Sequence, residues 1–184
     1  MWYIIAGIFI MALIVIYKAR KKLSLDDDFD VIVKYDEKLE AKVGRLMKHG
    51  LTFASENITS ANLPVPEGRR GTVTMRIALP KLKQAMSIED AKKFVGQRNL
   101  EVGDPYQLLD FIEHYWDRLQ EQMAAGFMVA ALRTFLLQSR NGRHYVVCFR
   151  CDGSNRRLDF LWVEAGWNDR WRLFCAHSVL NTNT

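Results

Sequence analysis

The sequence contains none of the short motifs that identify common enzyme classes. It has no G-x-S-x-G segment, which would place a nucleophilic serine on a sharp turn, and no phosphate-binding loop with its lysine. The four histidines are scattered and form no motif, and neither internal repeats nor low-complexity segments occur. Because no catalytic set is assembled along the chain, function has to be sought in the distribution of charged, apolar and aromatic residues.

Most of the chain also has almost no net charge. The formal net charge is +5, but Lys18, Arg20, Lys21 and Lys22 supply four of those charges. Residues 23–184 hold the other 22 of the 26 Lys and Arg residues, against 21 Asp and Glu residues. A segment this close to neutral lacks the basic surface that nucleic acid requires, so we expect no nucleic-acid partner.

Residues 1–17 carry no charge, and 2–17 form an unbroken apolar run. As a helix, a run of this length reaches roughly 25 Å, the short end of what spans a bilayer core. No positive residue precedes the run and no small-residue cleavage site follows it, which argues against a cleaved signal peptide. A buried core helix is disfavoured because no polar stripe interrupts the run. We therefore predict a single transmembrane anchor over residues 1–17, with residues 1–22 contacting the membrane.

The basic residues that follow this run predict its orientation and the domain boundaries. Positive flanks stay on the cytoplasmic side, so we expect the N-terminus outside and the rest of the chain in the cytoplasm. Four aspartates come almost directly after the basic residues, and this adjoining positive and negative charge predicts a solvated linker over residues 18–30. We expect one cytoplasmic α+β domain over residues 31–180 and a tail over residues 181–184.

Hydrophobic periodicity predicts the elements of the first half of this domain. Apolar residues at three- and four-residue steps are typical of a helix, and alternation is typical of a strand. The pattern Ser87-x-x-Asp90 is typical of a helix N-terminus. The predicted elements are a helix over residues 32–48, a loop over 51–71, a strand over 72–79 and a short helix over 87–97.

A stronger helix signal begins at Asp104, which is a favourable N-cap, and Pro105, which suits the first helical position. Apolar residues then follow at helical spacing, and residues 123–132 are all apolar or glycine. The run is too short for a second membrane span and contains Arg133 soon afterwards. It predicts a central buried helix over residues 105–139, or two helices that divide near residue 125.

The last 40 residues alternate with a period of two, which predicts strands over residues 144–151, 157–165 and 170–178. Short polar links that contain glycine favour antiparallel pairing, so we predict a C-terminal three-stranded meander in an α+β domain rich in helices. Helices before a curved sheet that ends in Trp171, Arg172 and Leu173 resemble the cone-shaped NTF2-like domains, over the final third of the chain. The resemblance implies a pocket between the sheet and the helices, and it assigns no residue roles.

A metal site is the first candidate for chemistry in this region. Cys148-x-x-Cys151 before a glycine resembles half of a zinc knuckle, and Cys175 with His177 would complete four ligands. The spacing of the second pair is unusual for zinc, and cysteines in apolar strands also serve as small core residues. We expect no cofactor, with zinc as the alternative.

A binding face is the second candidate, because arginines and aromatic residues are concentrated in the predicted strands and turns. Both residue types carry much of the energy of protein interfaces. In the alternative interpretation, the aromatic residues form the core and the arginines only solubilise the surface. The predicted binding face consists of Arg150, Arg157, Trp162, Trp167, Arg170 and Trp171.

These observations predict a membrane-anchored interaction or assembly module with no evident catalytic site. The expected partner is another protein or a second copy of the chain. A small-molecule or enzymatic pocket between sheet and helices is one alternative, and the zinc-binding domain is the other.

Overall fold

The computed structural model describes residues 24–82, 86–123, 126–138, 143–162 and 170–177. Within these ranges the chain forms one mixed sheet of eight strands together with four short helices. The elements in chain order are β1 (Phe29–Lys34), α1 (Leu39–His49), β2 (Phe53–Ala54), β3 (Thr72–Ala78), α2 (Ile88–Gly96), β4 (Leu100–Val102), α3 (Pro105–His114), α4 (Trp116–Met123), β5 (Phe127–Gln138), β6 (Arg143–Asp152), β7 (Asn155–Trp162) and β8 (Trp171–His177).

The strands lie in the order β1, β3, β8, β5, β6, β7 and β2, and β4 pairs with β8 beside this path. Two strand pairs are parallel, β5 with β8 and β2 with β7, and the other pairs of named strands are antiparallel. The first half of β8 pairs with β5, and its second half pairs with β3 and β4. The last described strand, β8, therefore lies in the middle of the sheet, whereas the first, β1, lies at one edge.

The predicted central helix is wrong from residue 127 onward, where the chain forms β5. This strand lies between β6 and β8 and is covered on both faces. Val129 and Ala131 belong to one buried cluster, whereas Ala130 and Leu132 belong to another. A strand that buries both faces has no polar alternation, so its sequence cannot be distinguished by periodicity from a buried helix.

The predicted three-stranded meander and the cone-shaped α+β fold are also wrong. β6 and β7 do form an antiparallel hairpin, whose turn contains Gly153 with a positive φ of 58°. β8, however, lies against β5, β3 and β4, and no pairing between β7 and β8 is present in the described residues. The alternation predicted a strand correctly but carries no information about which strand it pairs with.

Several local predictions are confirmed, and their caps show why. α2 follows Ser87, whose hydroxyl accepts a hydrogen bond from the Asp90 N–H at 3.1 Å. α3 follows Asp104, which forms a reciprocal capping box with Gln107. The strand predicted over residues 72–79 is β3. The helix predicted over residues 32–48 is correct only in its second part, because residues 29–34 form β1 and α1 begins at Leu39.

Two apolar cores lie on opposite faces of the sheet. The first contains Leu39 and Leu46 of α1, Leu108 of α3 and Leu119 of α4, packed against the sheet. The second contains Ala91 and Val95 of α2. Helices therefore cover both faces of the sheet, which explains why residues 127–132 of β5 are all apolar.

No helix in the part of the chain that the structure describes is both long enough and apolar enough to cross a membrane. The prediction of a single-pass membrane protein, with its N-terminus outside and its domain in the cytoplasm, is contradicted by this finding and is withdrawn. The segments on which it depended, the anchor over residues 1–17 and the membrane contact over 1–22, lie outside the described residues.

Part of the predicted linker is held against the sheet. Asp26 accepts a hydrogen bond from Arg172 of β8 at 2.8 Å. Asp28 accepts one from Arg76 of β3 at 3.0 Å and also lies 3.1 Å from Nε2 of His177. Asp26 and Asp28 therefore pair with cations of two strands, β8 and β3, while both residues remain exposed.

Candidate functional site

A depression lined by charged side chains lies at the end of the sheet next to the turn between β6 and β7. It is a half-open groove with a volume of about 690 Å³. Its lining residues come from β5, β6 and β7 and from the residues that precede β5 and β8. They are Gly126, Met128, Arg150, Cys151, Asp152, Asn155, Arg157 and Arg170.

The strand register explains why these side chains lie together. Phe53 pairs with Arg157, Arg157 with Arg150, Arg150 with Met128, and Met128 with Trp171. Paired residues on neighbouring strands point to the same face, so these five side chains form one row across the sheet. The row lies on the face that carries the second core, and Trp171 at its inner end is buried in that core.

Two arginines lie directly opposite each other at the centre of the row. Arg150 and Arg157 are a cross-strand pair, an arrangement that is destabilising for two like charges. Asp159 lies between them, because its carboxylate accepts a hydrogen bond from Arg150 at 3.0 Å and is 3.7 Å from Arg157. The same carboxylate accepts the Phe160 N–H at 2.8 Å, which fixes its orientation.

One carboxylate does not satisfy every donor of this arginine pair. The Nε atoms of Arg150 and Arg157 are buried and have no hydrogen-bond partner among the described residues. Buried donors without a partner cost free energy, as does the direct opposition of two cations.

An aromatic ring extends the groove at its outer end. The guanidinium of Arg157 lies over the ring of Phe53 at 4.5 Å from the centroid, and 40% of the Phe53 side chain is exposed. A ring beneath a guanidinium restricts its motion and leaves its hydrogen-bonding edge available. The outer end of the groove thus presents an apolar surface beside a positioned cation.

Charged side chains of both signs lie at the groove. Arg150, Arg157 and Arg170 line it together with Asp152, and the Asp159 carboxylate lies beside it. Guanidinium donors and carboxylate acceptors in one depression provide hydrogen-bonding groups of both kinds.

Half of the predicted binding face is found in this groove. Arg150, Arg157 and Arg170 line it, and Trp171 belongs to the same row but is buried. Trp162 pairs with Tyr145 and, by strand alternation from Arg157, lies on the opposite face of the sheet. Trp167 lies outside the described residues.

Several residues of the site were not part of the predicted binding face: Phe53, Gly126, Met128, Cys151, Asp152, Asn155 and Asp159. Met128 was assigned to a helix, so its pairing with Arg150 was not foreseen. Asp159 could have been found from its spacing, because a residue two positions after Arg157 on a strand lies on the same face.

The four candidate zinc ligands are not brought together. Cys148 and Cys175 belong to the second core, whereas Cys151 belongs to the first, because residues three apart on a strand point to opposite faces. His177 pairs with Asp28 instead. Across the described ranges, no group of three or more His, Cys, Asp or Glu side chains has the geometry to hold a metal ion.

The three thiols are also poorly suited to reactivity. Burial raises the pKa of Cys148 and of Cys175 to about 12, and burial also raises the pKa of Cys151. The thiolate is the form that attacks electrophiles and binds metals, so these cysteines are held in their unreactive form.

A second polar group is buried beneath α1 and α3, but it is enclosed. Lys42 is fully buried and donates to both carboxylate oxygens of Asp110 at 2.6 Å. Asp110 also accepts the Lys34 N–H, and Arg45 nearby bridges Glu37 and Glu113. This network joins β1, α1 and α3, so its role is to hold elements together.

The comparisons with known proteins assign no relatives. No protein-family model, no curated protein and no solved structure matches this chain. The fold and the groove therefore define the molecule only as a mixed-sheet domain with helices on both faces and an arginine-lined groove at one end.

Proposed function

We propose that this domain is a protein-interaction module that binds its partner through the arginine-lined groove. The observation that carries the proposal is the row of Arg150, Arg157 and Met128, which continues to Phe53 at its outer end. Arginine and large apolar side chains in one depression are the composition of interaction hot spots. The opposed arginine pair supports this role because two guanidiniums share the single carboxylate of Asp159 and remain partly exposed.

The two alternative functions receive less support from the geometry. The space between the sheet and helices α1, α3 and α4 is filled by an apolar cluster whose members are at most 5% exposed. That layer is where a small-molecule or enzymatic pocket was expected. The zinc alternative lacks a gathered ligand set among the described side chains.

Site-specific photocrosslinking tests the proposal in the cells that produce the protein. A photoreactive amino acid replaces Asn155, which is exposed and lines the groove, and a matched control places it at Lys48, which is exposed on α1. We expect a discrete crosslinked protein from position 155 and none from position 48. The mass of the product distinguishes a second copy of the chain from another protein.

A second substitution links the crosslink to the groove. Arg157→Glu in the position-155 variant reverses one charge of the row, so the crosslinked product should be lost while the chain remains folded by circular dichroism. Equal crosslinking from positions 155 and 48, or a product that survives Arg157→Glu, would contradict the proposed function.

A further inference from the structure

We propose that a second, smaller pocket of the molecule binds a small amphipathic anion, which is a molecule with one anionic head group on a short apolar chain. The pocket lies beside residues 78–81, at the end of β3 and just after it. This role goes beyond the interaction module, because the pocket and the groove share none of their described lining residues. It follows from the apolar lining of the pocket, its charges and its size.

Three segments of the chain contribute to this pocket. Residues 25–26 precede β1, residues 78–81 end β3 and follow it, and residues 94 and 98 lie in α2 and just after it. The middle segment is fixed to β8, because the Pro80 carbonyl accepts a hydrogen bond from the Leu173 N–H at 3.1 Å. The lining residues are Leu25, Asp26, Ala78, Leu79, Pro80, Lys81, Phe94 and Arg98.

Apolar side chains form most of this lining. Leu25 and Leu79 pack with the first core, whereas Ala78 and Phe94 pack with the second, and Pro80 lies between them in the sequence. An apolar chain that enters the pocket therefore meets a surface that is continuous with both cores. Removal of that chain and of this surface from water would favour binding.

The charged side chains of the pocket leave an excess of positive charge. Asp26 accepts a hydrogen bond from Arg172 at 2.8 Å, so its carboxylate is already paired. Within the described ranges, neither Lys81 nor Arg98 forms an ion pair with an acid. Lys81 also forms a β-bridge with Arg172, which places two cationic side chains next to each other on one face. A bound anion would reduce the repulsion among these cations.

Arg98 is held in a defined orientation. Its guanidinium lies over the Phe94 ring at 3.7 Å from the centroid, and Nη1 donates a hydrogen bond to the Phe94 carbonyl at 3.1 Å. A guanidinium has five N–H donors in a planar fork, so this hydrogen bond leaves most of them for a ligand. A side chain that is already ordered loses less conformational entropy when it binds.

The size of the pocket favours a small ligand. It is half-open and has a volume of about 270 Å³. Sites for drug-sized molecules begin at roughly 300 Å³. The space therefore suits a head group with a chain of several carbons, and it is too small for an extended peptide segment.

Isothermal titration calorimetry of the full-length chain with octanoate tests the proposal. We expect saturable binding. Octan-1-ol keeps the chain without the charge, and acetate keeps the charge without the chain, so each should bind at least about tenfold more weakly. Octyl phosphate offers the other common anionic head group, and the tighter of the two anions identifies the head group that the site prefers.

Two variants connect this binding to the cations of the pocket. Lys81→Gln and Arg98→Gln should each weaken octanoate binding by about tenfold, the loss expected for one charge-assisted hydrogen bond. Arg70→Gln is the matched control, because Arg70 is exposed on the loop before β3 and does not line the pocket. All three residues are exposed, so the variants should remain folded, which circular dichroism checks.

Three results would overturn the proposal. They are octanoate binding that does not saturate, octan-1-ol binding as tight as that of octanoate, and equal losses in Arg70→Gln and Arg98→Gln. None of them bears on the interaction module, which crosslinking from position 155 tests separately.

Discussion

Lys42 is a buried cation, and among the described residues its counter-charge at hydrogen-bonding distance is Asp110, at 2.6 Å, whereas Glu37 lies at 3.9 Å. Replacing Lys42 with methionine keeps the volume of the side chain but leaves the Asp110 carboxylate buried without its cation. We expect Lys42→Met to lower the free energy of unfolding by about 3–5 kcal/mol, the usual cost of breaking a buried ion pair from one side. Urea denaturation measures this loss.

A double variant tests whether the unpaired charge of Asp110 causes this loss of stability. Adding Asp110→Asn to Lys42→Met removes the charge and retains an acceptor for the Lys34 N–H, so stability should partly return. Lys48→Met on the same helix is the control, because Lys48 is exposed and its loss should change stability by less than about 0.5 kcal/mol. A Lys42→Met variant as stable as Lys48→Met would disprove the structural role.

Asp104 makes stability depend on pH. It is fully buried, and burial raises the pKa of its carboxyl despite hydrogen bonds from the Gln107 N–H and the Tyr35 hydroxyl. A raised folded-state pKa means that the folded chain binds the proton more tightly than the unfolded chain. The contribution of Asp104 to stability is therefore fully present below the unfolded pKa of about 4 and is lost as pH rises through the folded pKa.

Asp104→Asn isolates this effect, because asparagine is an equally good N-cap but does not ionise. Urea denaturation across a pH series should show the variant gaining stability relative to the natural chain as pH rises above about 4. Asp110, whose pKa is also raised by burial, is present in both proteins. Its contribution therefore cancels when the free energies of unfolding of the two proteins are subtracted. A difference that is constant with pH, or that changes in the opposite direction, would refute the assignment.

At the scale of elements, sequence signals that act within a few residues were reliable. The caps at Ser87 and Asp104 correctly predicted the starts of α2 and α3, because a cap needs only its own helix to be satisfied. β5 was misread because its apolar residues are explained by two covering layers that lie far away in sequence. Burial of a strand on both faces depends on distant parts of the chain, so the local periodicity of the sequence does not reveal it.

Gly103 connects β4 to α3 at a point where the backbones of β5 and β8 lie close to it. Its N–H donates to the Phe174 carbonyl at 2.7 Å, and its own carbonyl accepts from the Arg133 N–H at 3.0 Å. A Cβ atom on Gly103 would overlap the Phe174 ring and lie 2.9 Å from the Phe174 carbonyl oxygen. We expect Gly103→Ala to destabilise the protein by about 1–3 kcal/mol, the usual cost of overpacking.

Gly44→Ala is a matched control with the opposite expected sign. Gly44 lies inside α1, and a Cβ atom there would meet nothing within 4 Å. Alanine should stabilise that helix by up to about 1 kcal/mol, because glycine is a poor helix former. Thermal unfolding of both variants checks the pair, and a Gly103→Ala protein as stable as the natural chain would show that the junction can relax.

At the scale of the whole molecule, strand content could be predicted better than strand order. The alternation in β6 and β7 predicted their hairpin, since its turn is local. The position of β8 beside β5, β3 and β4 depends on pairings between distant segments, which no single-sequence pattern contains. The groove shares this limitation: Arg150, Arg157 and Arg170 were predicted as part of a binding face, but the row that Arg150 and Arg157 form with Met128 depends on the register of three strands.

The order of β6, β5 and β8 in the sheet predicts how the molecule unfolds. Cys148 on β6 and Cys175 on β8 are fully buried in one core, and burial raises the pKa of each thiol to about 12. β5 lies between these two strands, and both thiols face the core that α2 covers, so they reach solvent only when this core opens. If the sheet unfolds as one unit, both thiols should react with a thiol reagent at the same rate and only through global unfolding.

Single-cysteine variants measure this directly. Two forms of the chain, each retaining Cys148 or Cys175 and carrying alanine at the other two cysteines, are labelled at increasing urea concentration. Both labelling rates should follow the global unfolding transition, whereas a form retaining only Cys151 should react earlier, because it lies beside the exposed turn between β6 and β7. Labelling of Cys175 well below the transition, with Cys148 still protected, would show that β8 detaches separately and that the sheet is not one cooperative unit.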